Sequence, residues 1–308
     1  MNDTSHHLVI GAGQIGSELT RQLLKRGDTV TVATRSGTVI PGAHAISLDA
    51  SDTAAVTEAQ LGTATTFLCT NPPYKSWPTD WPPIFAAAIA SAKASGSRLV
   101  AMGNLYGYGK ATMPMTEHTP FHPVDTKGEV RTEGWRQVLK AHERGDITAA
   151  EVRASDYIGP FADATSHVGK RFFGPILNSK TARVIGDPEL PHSWSYLPDI
   201  ARTLIAAADV EDRNDWGRAW VVPSTTRSRV EIATEINEAF NTNGKAARLP
   251  RAMLRLAGMF DANIKEVERS SYQFEMPFIV DSTETERTLG VRSTPWKDVI
   301  QTTGASYL

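Results

Sequence analysis

The sequence has little that would tie it to an oxidising compartment, a membrane or a nucleic acid. Its single cysteine, Cys69, cannot form an intrachain disulfide, which fits a reducing compartment. The longest uncharged, mainly apolar stretch, Ile84 to Ala92, is far shorter than the roughly 18–20 residues that a membrane helix needs. The 32 basic and 34 acidic side chains nearly cancel, so the basic excess typical of nucleic-acid binding is missing. We therefore expect a cytoplasmic protein that binds a small molecule and neither nucleic acid nor membrane.

The composition is that of a globular protein of one or two domains. The 308 residues are 41% hydrophobic and 21% charged, so disorder is not expected. A chain of this length buries about three quarters of its unfolded surface, and it needs neither a disulfide nor a metal to fold. No spacing of His, Asp or Glu in the sequence indicates a metal site.

Short apolar or β-branched segments alternate with helical segments in the first half of the chain, which predicts an α/β fold with a parallel sheet covered on both faces. The predicted strands are Leu8–Ile10, Thr29–Thr34, Ala43–Leu48, Thr65–Cys69, Arg98–Met102, Ile147–Ala154 and Ala219–Val222. The predicted helices are Ser17–Arg26, Asp52–Leu61, Pro83–Ser95, Asp125–Arg144, one from about Asp199, and Arg248–Arg255. The last third is otherwise helical, with one strand near Phe278–Val280.

A glycine-rich turn, Gly11-Ala12-Gly13-Gln14-Ile15-Gly16, joins the first predicted strand to the first helix. In such a turn the first glycine permits the sharp bend, and the second lets a pyrophosphate approach the backbone. The third lets the helix pack closely on the strand, and the N-terminus of the helix attracts the negative charge. The pattern predicts dinucleotide binding, while an ordinary strand-to-helix turn is the alternative.

The end of the second strand indicates which dinucleotide binds. A carboxylate at this point binds the ribose hydroxyls of NAD, whereas an arginine suits the 2′-phosphate of NADP. The chain has Arg35 and Ser36 here and no carboxylate nearby, which favours NADP(H) over NAD(H). Asp49, after the third strand, is predicted either to lie beside the adenine or to cap a helix. Asn71, after the fourth strand, is a further candidate for cofactor binding.

The chain resembles the extended short-chain dehydrogenases/reductases, the NAD-dependent epimerase/dehydratase group, over nearly its whole length. The segments that carry the resemblance are the glycine turn, Leu105–Gly107, Met115–Pro120, Tyr157–Pro160 and Ser195–Ala201. An atypical bacterial subgroup shares Asn71–Tyr74, Asn104–Gly109, Lys127–Arg131 and Arg153–Asp156.

The resemblance implies an α/β fold with a Rossmann-type doubly wound parallel sheet and a smaller C-terminal substrate domain. It also implies a nicotinamide cofactor and a possible homodimer. We place the dinucleotide-binding domain at residues 1–160, together with about 185–222. The discontinuous substrate-binding domain takes most of residues 161–308.

The usual catalytic set of this family does not carry over to the chain. That set is a Ser or Thr after the fifth strand, then Tyr and Lys four residues apart on the next helix. Here the first position falls at Met102, and the other two are occupied by Lys127 and Arg131. On a helix these two side chains point the same way. Either Lys127 is a general acid with Arg131 at the nicotinamide ribose, or both are solvated charges on an exposed face.

The loop after the fifth strand offers other polar candidates. Asn104 and Tyr106 are candidate catalytic residues, and Tyr108 is a candidate substrate contact, because ligands of α/β sheets bind at this edge. Equally, they could serve only the structure of the loop. Tyr106 and Lys110 are four residues apart, but two intervening glycines disfavour the helix that would align them.

Further substrate contacts are predicted at Tyr74, Asp156, His192 and Tyr196. Tyr74 belongs to a proline-rich aromatic loop that either walls a pocket or only covers the next helix. Taken together, these features predict an NADP(H)-dependent oxidoreductase that acts on a small carbonyl or alcohol. The alternatives are a sensor or scaffold that binds NADP without chemistry, and an epimerase or lyase that uses bound cofactor without net redox change.

Overall fold

The computed structural model describes residues 4–112, 114–162, 166–250 and 268–308 of the chain. Within them, a seven-stranded parallel sheet forms the centre of the molecule, with strand order β10-β6-β5-β4-β1-β2-β3. Its strands are β1 (His6–Ile10), β2 (Thr29–Thr34), β3 (His44–Ser47), β4 (Thr65–Leu68), β5 (Arg98–Asn104), β6 (Ala149–Ala154) and β10 (Ala219–Val221). The predicted Rossmann-type α/β fold is confirmed.

Helices cover both faces of this sheet. They are α1 (Gln14–Arg26), α2 (Thr53–Gln60), α3 (Trp77–Ser95), α4 (Thr126–Glu143) and α6 (Leu197–Ala208). Helices α1 and α6 pack on one face, where Leu19 and Leu204 are buried in the same apolar core. Helices α2, α3 and α4 pack on the other face, where Phe85 and Trp135 share a second core.

A smaller unit forms from the later part of the chain. It contains a three-stranded sheet of β11 (Ser224–Arg227), β9 (His192–Tyr196) and β7 (Tyr157–Ile158), and a two-stranded sheet of β12 (Lys245–Arg248) and β8 (Thr181–Val184). Helices α5 (Lys170–Leu177), α7 (Arg229–Phe240) and α9 (Trp296–Ala305) pack around a third core, while α8 (Thr283–Leu289) contacts α6 and β10. Our division of the chain near residue 160 stays a prediction.

Several element boundaries differ from the predicted ones. Helix α3 begins at Trp77 rather than at Pro83, although Pro82 and Pro83 lie inside it. Trp77 and Trp81 are one turn apart and almost fully buried, and this burial outweighs the helix hydrogen bonds that the prolines remove. Helix α6 likewise begins at Leu197, two residues before Asp199.

Two strand predictions and one helix prediction need correction as well. Strand β5 continues through Asn104, because Gly103 and Asn104 pair with Arg153 and Ala154 of β6. The predicted strand at Phe278–Val280 is reduced to two isolated bridges, which join Phe278 to His192 and Val280 to Met115. Of the predicted helix Arg248–Arg255, Arg248 ends strand β12, and residues 251–255 lie outside the described part.

Capping groups set the ends of the two helices that shape the site. Helix α1 ends at Gly27, whose φ of 99° is the left-handed conformation that glycine adopts readily. Helix α4 begins after Asp125, whose side chain accepts a hydrogen bond from Gly128 N. None of the helices in the described ranges is long and apolar enough to cross a membrane.

Candidate functional site

Two adjoining cavities form one groove along the carboxyl edge of the central sheet. The larger, of about 570 Å³, lies over the ends of β1, β2 and β3, and the smaller, of about 370 Å³, lies over β4, β5 and β6. Both cavities are lined by Gly13, Cys69, Thr70 and Asn71. The ends of parallel strands are where ligands of open α/β sheets bind.

The glycine turn sits where the two cavities meet, and each of its glycines has a separate geometric reason. Gly11 has a φ of 107°, and a Cβ atom there would lie 2.6 Å from the backbone nitrogen of Thr70. A Cβ on Gly16 would lie 1.9 Å from the carbonyl oxygen of Gly11. Gly13 differs, because its Cβ would meet no atom within 4 Å. Gly11 and Gly16 therefore allow the turn to form, while Gly13 leaves its backbone open to a ligand.

The positive end of the α1 helix dipole points at this opening. The first turn of an α-helix has backbone N–H groups without acceptors in the helix, and no acidic side chain occupies this turn. Gln14 donates from Nε2 to the carbonyl oxygen of Phe161 at 3.0 Å, which ties the turn to the segment after β7. Its buried Oε1 accepts no hydrogen bond within the described residues. An open glycine, free N–H groups and a helix dipole together fit the diphosphate of a dinucleotide.

The far end of the larger cavity is lined by Arg35, Ser36 and Asp49. Arg35 and Ser36 are exposed and directly follow β2, so a phosphate group could reach both. Asp49 accepts hydrogen bonds from the backbone nitrogen of Ser51 at 2.9 Å and from its hydroxyl at 2.7 Å. These bonds hold the pKa of the Asp49 carboxyl below its usual value. Asp49 thus lines the groove and caps a turn, while Asp52 caps α2.

Two tyrosine hydroxyl groups meet in the smaller cavity. The hydroxyl oxygens of Tyr74 and Tyr106 are 3.0 Å apart, and both side chains line the cavity. Asn104 accepts the Tyr106 N–H at 3.1 Å through its Oδ1, and it lines the cavity too. Burial raises the pKa of both tyrosines, so both phenols are protonated at neutral pH.

Lys127 and Arg131 are not solvated charges, because helix α4 turns both toward the protein interior. Lys127 is 1% exposed, and its Nζ lies 3.5 Å from Asp125 Oδ2 and 5.3 Å from the centre of the Tyr74 ring. Arg131 is 7% exposed and lines the smaller cavity. Lys127 is not among the described residues that line either cavity. It lies behind Tyr74, which forms part of the wall of the smaller cavity.

A buried group of charges lies beneath the cavity floor. Glu151 accepts a hydrogen bond from Arg153 Nε at 2.6 Å, and its other oxygen is 4.0 Å from the guanidinium group of Arg131. A Cβ on Gly103 would lie 2.7 Å from the Glu151 carboxyl group, so this glycine lets the carboxylate pass under the floor. Two arginines and one glutamate leave a net positive charge under the ends of β5 and β6.

The opposite wall carries an aspartate paired with histidines. Asp156 lines the smaller cavity, and its Oδ2 lies 2.9 Å from His192 Nε2, while His167 is 4.0 Å away. Burial raises the pKa of the Asp156 carboxyl, but the His192 hydrogen bond and the electrostatic interactions with His167, His192 and Arg229 outweigh burial and lower it. Asp156 is therefore an anion at neutral pH.

Some predicted substrate contacts do not reach the groove. Tyr108 is buried, stacks on Phe121 and accepts a hydrogen bond from Arg153 Nη1 at 2.5 Å. His192 lies behind Asp156, with its ring centre 4.9 Å from that of Phe274. Tyr196 ends β9 and packs in the core of the smaller unit. None of the three lines either cavity within the described ranges. Lys110 is exposed and outside any helix, so it does not align with Tyr106.

Other residues that line the smaller cavity were not predicted as site residues. They include Ser155, Tyr157, Gln273 and Phe278. Gln273 and Phe278 follow the end of β6 by more than a hundred residues, and no local pattern places them beside it. The Ser155 Oγ is buried and has no hydrogen-bond partner among the described residues. The position of Ser155 next to Asp156, after a predicted strand, is the sequence signal that could have identified it.

Two family models match the chain. Residues 7–100 match the TrkA-N domain, and residues 84–222 match the NAD dependent epimerase/dehydratase family. The motifs in the sequence predicted a likeness to the NAD dependent epimerase/dehydratase family, and residues 84–222 match its model. No curated protein matches the chain.

Solved structures of epimerases and of a dehydratase share the fold of this chain at low sequence identity. The UDP-glucose 4-epimerase of Thermotoga maritima is 16% identical, with a TM-score of 0.81 and 98% of each chain covered. An epimerase of Methanothermobacter thermautotrophicus is 18% identical, with a TM-score of 0.80 over 99% of this chain and 92% of that one. The dTDP-glucose 4,6-dehydratase of Bacillus anthracis, solved with NAD, is 13% identical, with a TM-score of 0.79 over 99% and 96%.

Proposed function

We propose that the protein is an NADP(H)-dependent oxidoreductase that acts on a small carbonyl compound or alcohol. The observation that carries the proposal is the continuous groove, which runs from Arg35 past the open backbone of Gly13 to the tyrosine hydroxyls. One end of the groove suits a phosphorylated ribose, the middle suits a diphosphate, and the other end holds proton donors. A hydride-transferring site needs these three parts in this order.

The chain's own residues would hold the cofactor along the groove. The turn from Gly11 to Gly16 would bind the diphosphate, and Arg35 with Ser36 would bind the 2′-phosphate. Asn71 lines both cavities, and Ile15 lines the smaller one. The dehydratase structure from Bacillus anthracis contains NAD. The preference for NADP proposed here rests on the arginine, and the absence of a carboxylate, directly after β2.

When bound, the nicotinamide group supplies or accepts a hydride at the smaller cavity. A carbonyl carbon that receives a hydride leaves negative charge on its oxygen, which a positioned proton donor must neutralise. The tyrosine hydroxyls supply such donors, and Asn104 holds one of them by its backbone. The positive charge of Arg131 at the same cavity favours the developing negative charge.

The walls of the smaller cavity indicate a polar, uncharged substrate. The aromatic rings of Tyr74, Trp77 and Tyr157 offer flat contact, and the ionised carboxylate of Asp156 accepts hydrogen bonds from hydroxyl groups. A substrate with its own carboxylate near Asp156 would be repelled. An alcohol or hydroxylated carbonyl compound therefore fits the cavity best.

The proposal is tested first by cofactor binding, measured through nicotinamide fluorescence for NADPH and NADH. We expect saturable binding with a preference for NADPH. In Arg35→Ala the Kd for NADPH should rise by at least about tenfold while that for NADH changes little, since a charge-assisted bond to phosphate is worth about 1.5–3 kcal/mol. Arg171→Ala, at an exposed arginine outside the groove, is the matched control.

Three outcomes separate the proposal from its alternatives. Equal affinity of the wild type for the two cofactors would contradict the assignment of Arg35. Tight NADPH binding without oxidation by any member of a panel of aldehydes, ketones and quinones would favour a sensor or scaffold. Conversion of a substrate with no net change in the cofactor's oxidation state would favour an epimerase or lyase.

A further inference from the structure

We propose that Tyr74 is the proton donor of the smaller cavity and that Tyr106 is the positioning residue that holds its hydroxyl group. This inference rests on the proposed oxidoreductase function and names a residue within that site. The position that supplies the usual acid of the family is occupied here by Lys127, on α4. The acid would therefore come from the loop after β4, on the other side of the cavity.

The first observation is that the two phenols form a pair with one hydrogen bond between them. Their oxygens are 3.0 Å apart, so one hydroxyl donates and the other accepts. The hydroxyl that accepts keeps its own proton available for the cavity. The hydroxyl that donates cannot serve the cavity at the same time, but it can stabilise a phenolate on its partner.

The second observation is a positive charge that favours Tyr74 as the partner that ionises. The ammonium group of Lys127 lies 5.3 Å from the centre of the Tyr74 ring. Asp125 fixes Lys127 from the other side, with 3.5 Å between Nζ and Oδ2. In an interior of low dielectric, a cation held this close stabilises a phenolate.

Helix α4 can bring Lys127 this close only because its third residue is a glycine. A Cβ on Gly128 would lie 2.5 Å from the carbonyl oxygen of Tyr106, so any larger residue would push the helix away. The ring of Tyr74 is fixed as well, since it contacts Trp77 edge-on at 5.1 Å. The Trp77 indole in turn donates to the carbonyl oxygen of Pro72 at 2.8 Å. Both members of the cation–ring contact are therefore held by the fold.

The pKa values of Tyr74 and Tyr106 reflect burial and the hydrogen bond between the two phenols. Burial raises the pKa of Tyr74 to about 12, although the hydrogen bond from Tyr106 works in the opposite direction. Burial also raises the pKa of Tyr106 well above its usual value, and the hydrogen bond to Tyr74 adds to the increase. The hydrogen bond between the two phenols thus favours ionisation at Tyr74 over ionisation at Tyr106. Asp125, Asp156 and Tyr157 also surround Tyr74 and raise its pKa, so the charge of Lys127 opposes theirs.

In the reductive direction, the carbonyl carbon of the substrate would receive a hydride, with its electron pair, from the reduced cofactor. The O–H bond of Tyr74 breaks, and its proton forms the new hydroxyl group of the product. The phenolate left on Tyr74 is stabilised by the hydroxyl of Tyr106 and by the charge of Lys127. A proton from water restores the phenol after the product leaves.

The decisive experiment introduces 3-fluorotyrosine at position 74 of the full chain and titrates its phenol by absorbance. Fluorine makes the phenol more acidic while keeping its hydroxyl, so the titration needs no substrate. We expect the apparent pKa to rise by at least about half a unit in both Tyr106→Phe and Lys127→Met, because each removes a group that stabilises the phenolate. Tyr108→Phe, which alters a hydroxyl outside the groove, should leave the pKa unchanged. An unchanged pKa in Tyr106→Phe would overturn the proposal.

Kinetic measurements distinguish a failure of the Tyr74 assignment from a failure of the proposed oxidoreductase function. With NADPH and 9,10-phenanthrenequinone as the probe, Tyr74→Phe should lower kcat by at least about a hundredfold with little change in KM. The 3-fluorotyrosine protein should keep most of the activity, and Tyr106→Phe should lose less than Tyr74→Phe. A larger loss in Tyr106→Phe would make Tyr106 the donor and overturn the assignment. If the wild type binds no NADPH, the proposed function fails, and the titration alone then decides whether the pair behaves as described.

Discussion

The guanidinium group of Arg131 donates a hydrogen bond from Nη2 to the backbone carbonyl oxygen of Met102, at the end of strand β5. The same group lies 4.2 Å from the ring centre of Trp81, on α3. One side chain of α4 therefore contacts the floor of the smaller cavity and the helix beside it. The resemblance described above places Met102 and Arg131 at two positions of the family's usual catalytic set, and here the two residues bind one another.

Arg131→Lys is expected to destabilise the fold despite keeping the positive charge. A lysine ammonium cannot both stack flat on Trp81 and donate to Met102, so part of the buried network loses its partners. We expect the free energy of unfolding to fall by about 1–3 kcal/mol in urea denaturation. Arg136→Lys, at an exposed arginine of the same helix, should change it by less than about 0.5 kcal/mol. Equal effects of the two substitutions would contradict this account of Arg131.

Alanine substitutions at Gly13 and Gly16 should separate binding from folding. A Cβ at Gly13 meets no protein atom within 4 Å, so Gly13→Ala should keep the thermal midpoint within a few degrees. It should weaken NADPH binding by about tenfold or more, because the methyl group occupies the opening where we place the diphosphate. A Cβ at Gly16 would lie 1.9 Å from Gly11 O, so Gly16→Ala should destabilise the fold strongly. NADPH binding of normal affinity in folded Gly13→Ala would place the diphosphate elsewhere.

His7 should make stability depend on pH between about 5 and 7. Burial lowers the pKa of His7 below its usual 6.5, although Asp28 acts in the opposite direction. Below about pH 6.5 the unfolded chain therefore binds a proton that the folded chain resists, so stability falls as the pH falls. Urea unfolding at several pH values should show this loss in the wild type and a smaller one in His7→Phe. The control is His44→Phe, at an exposed histidine, and it should keep the wild-type slope. A slope that His7→Phe leaves unaltered would contradict this role.

The parts of the fold that local sequence controls were predictable. Strand β2 has the predicted bounds, and α1 ends where Gly27 adopts its left-handed conformation. The glycine turn was predictable for the same reason, since its residues fix backbone geometry within six positions. The start of α3 was not, because the burial of Trp77 and Trp81 against distant residues outweighed two prolines.

The candidate site was predictable only where its residues lie at the end of a strand or a few residues after it. Asn71, Tyr74, Asn104 and Asp156 do so, and all of them line the groove. Tyr108 also follows a strand, but a hydrogen bond from Arg153 holds it in the interior. Neither this bond nor the presence of Gln273 in the cavity wall follows from local spacing.

By itself, the sequence determined the α/β alternation and the glycine turn between β1 and α1. Only the tertiary structure decided that Lys127 and Arg131 are buried, and which tyrosine each of the surrounding groups contacts. A periodic pattern identifies the face of a helix on which a charge lies, but the neighbours that desolvate it come from other elements. For α4 those neighbours are the aromatic rings of Tyr74 and Trp81, which the chain brings from the segment after β4.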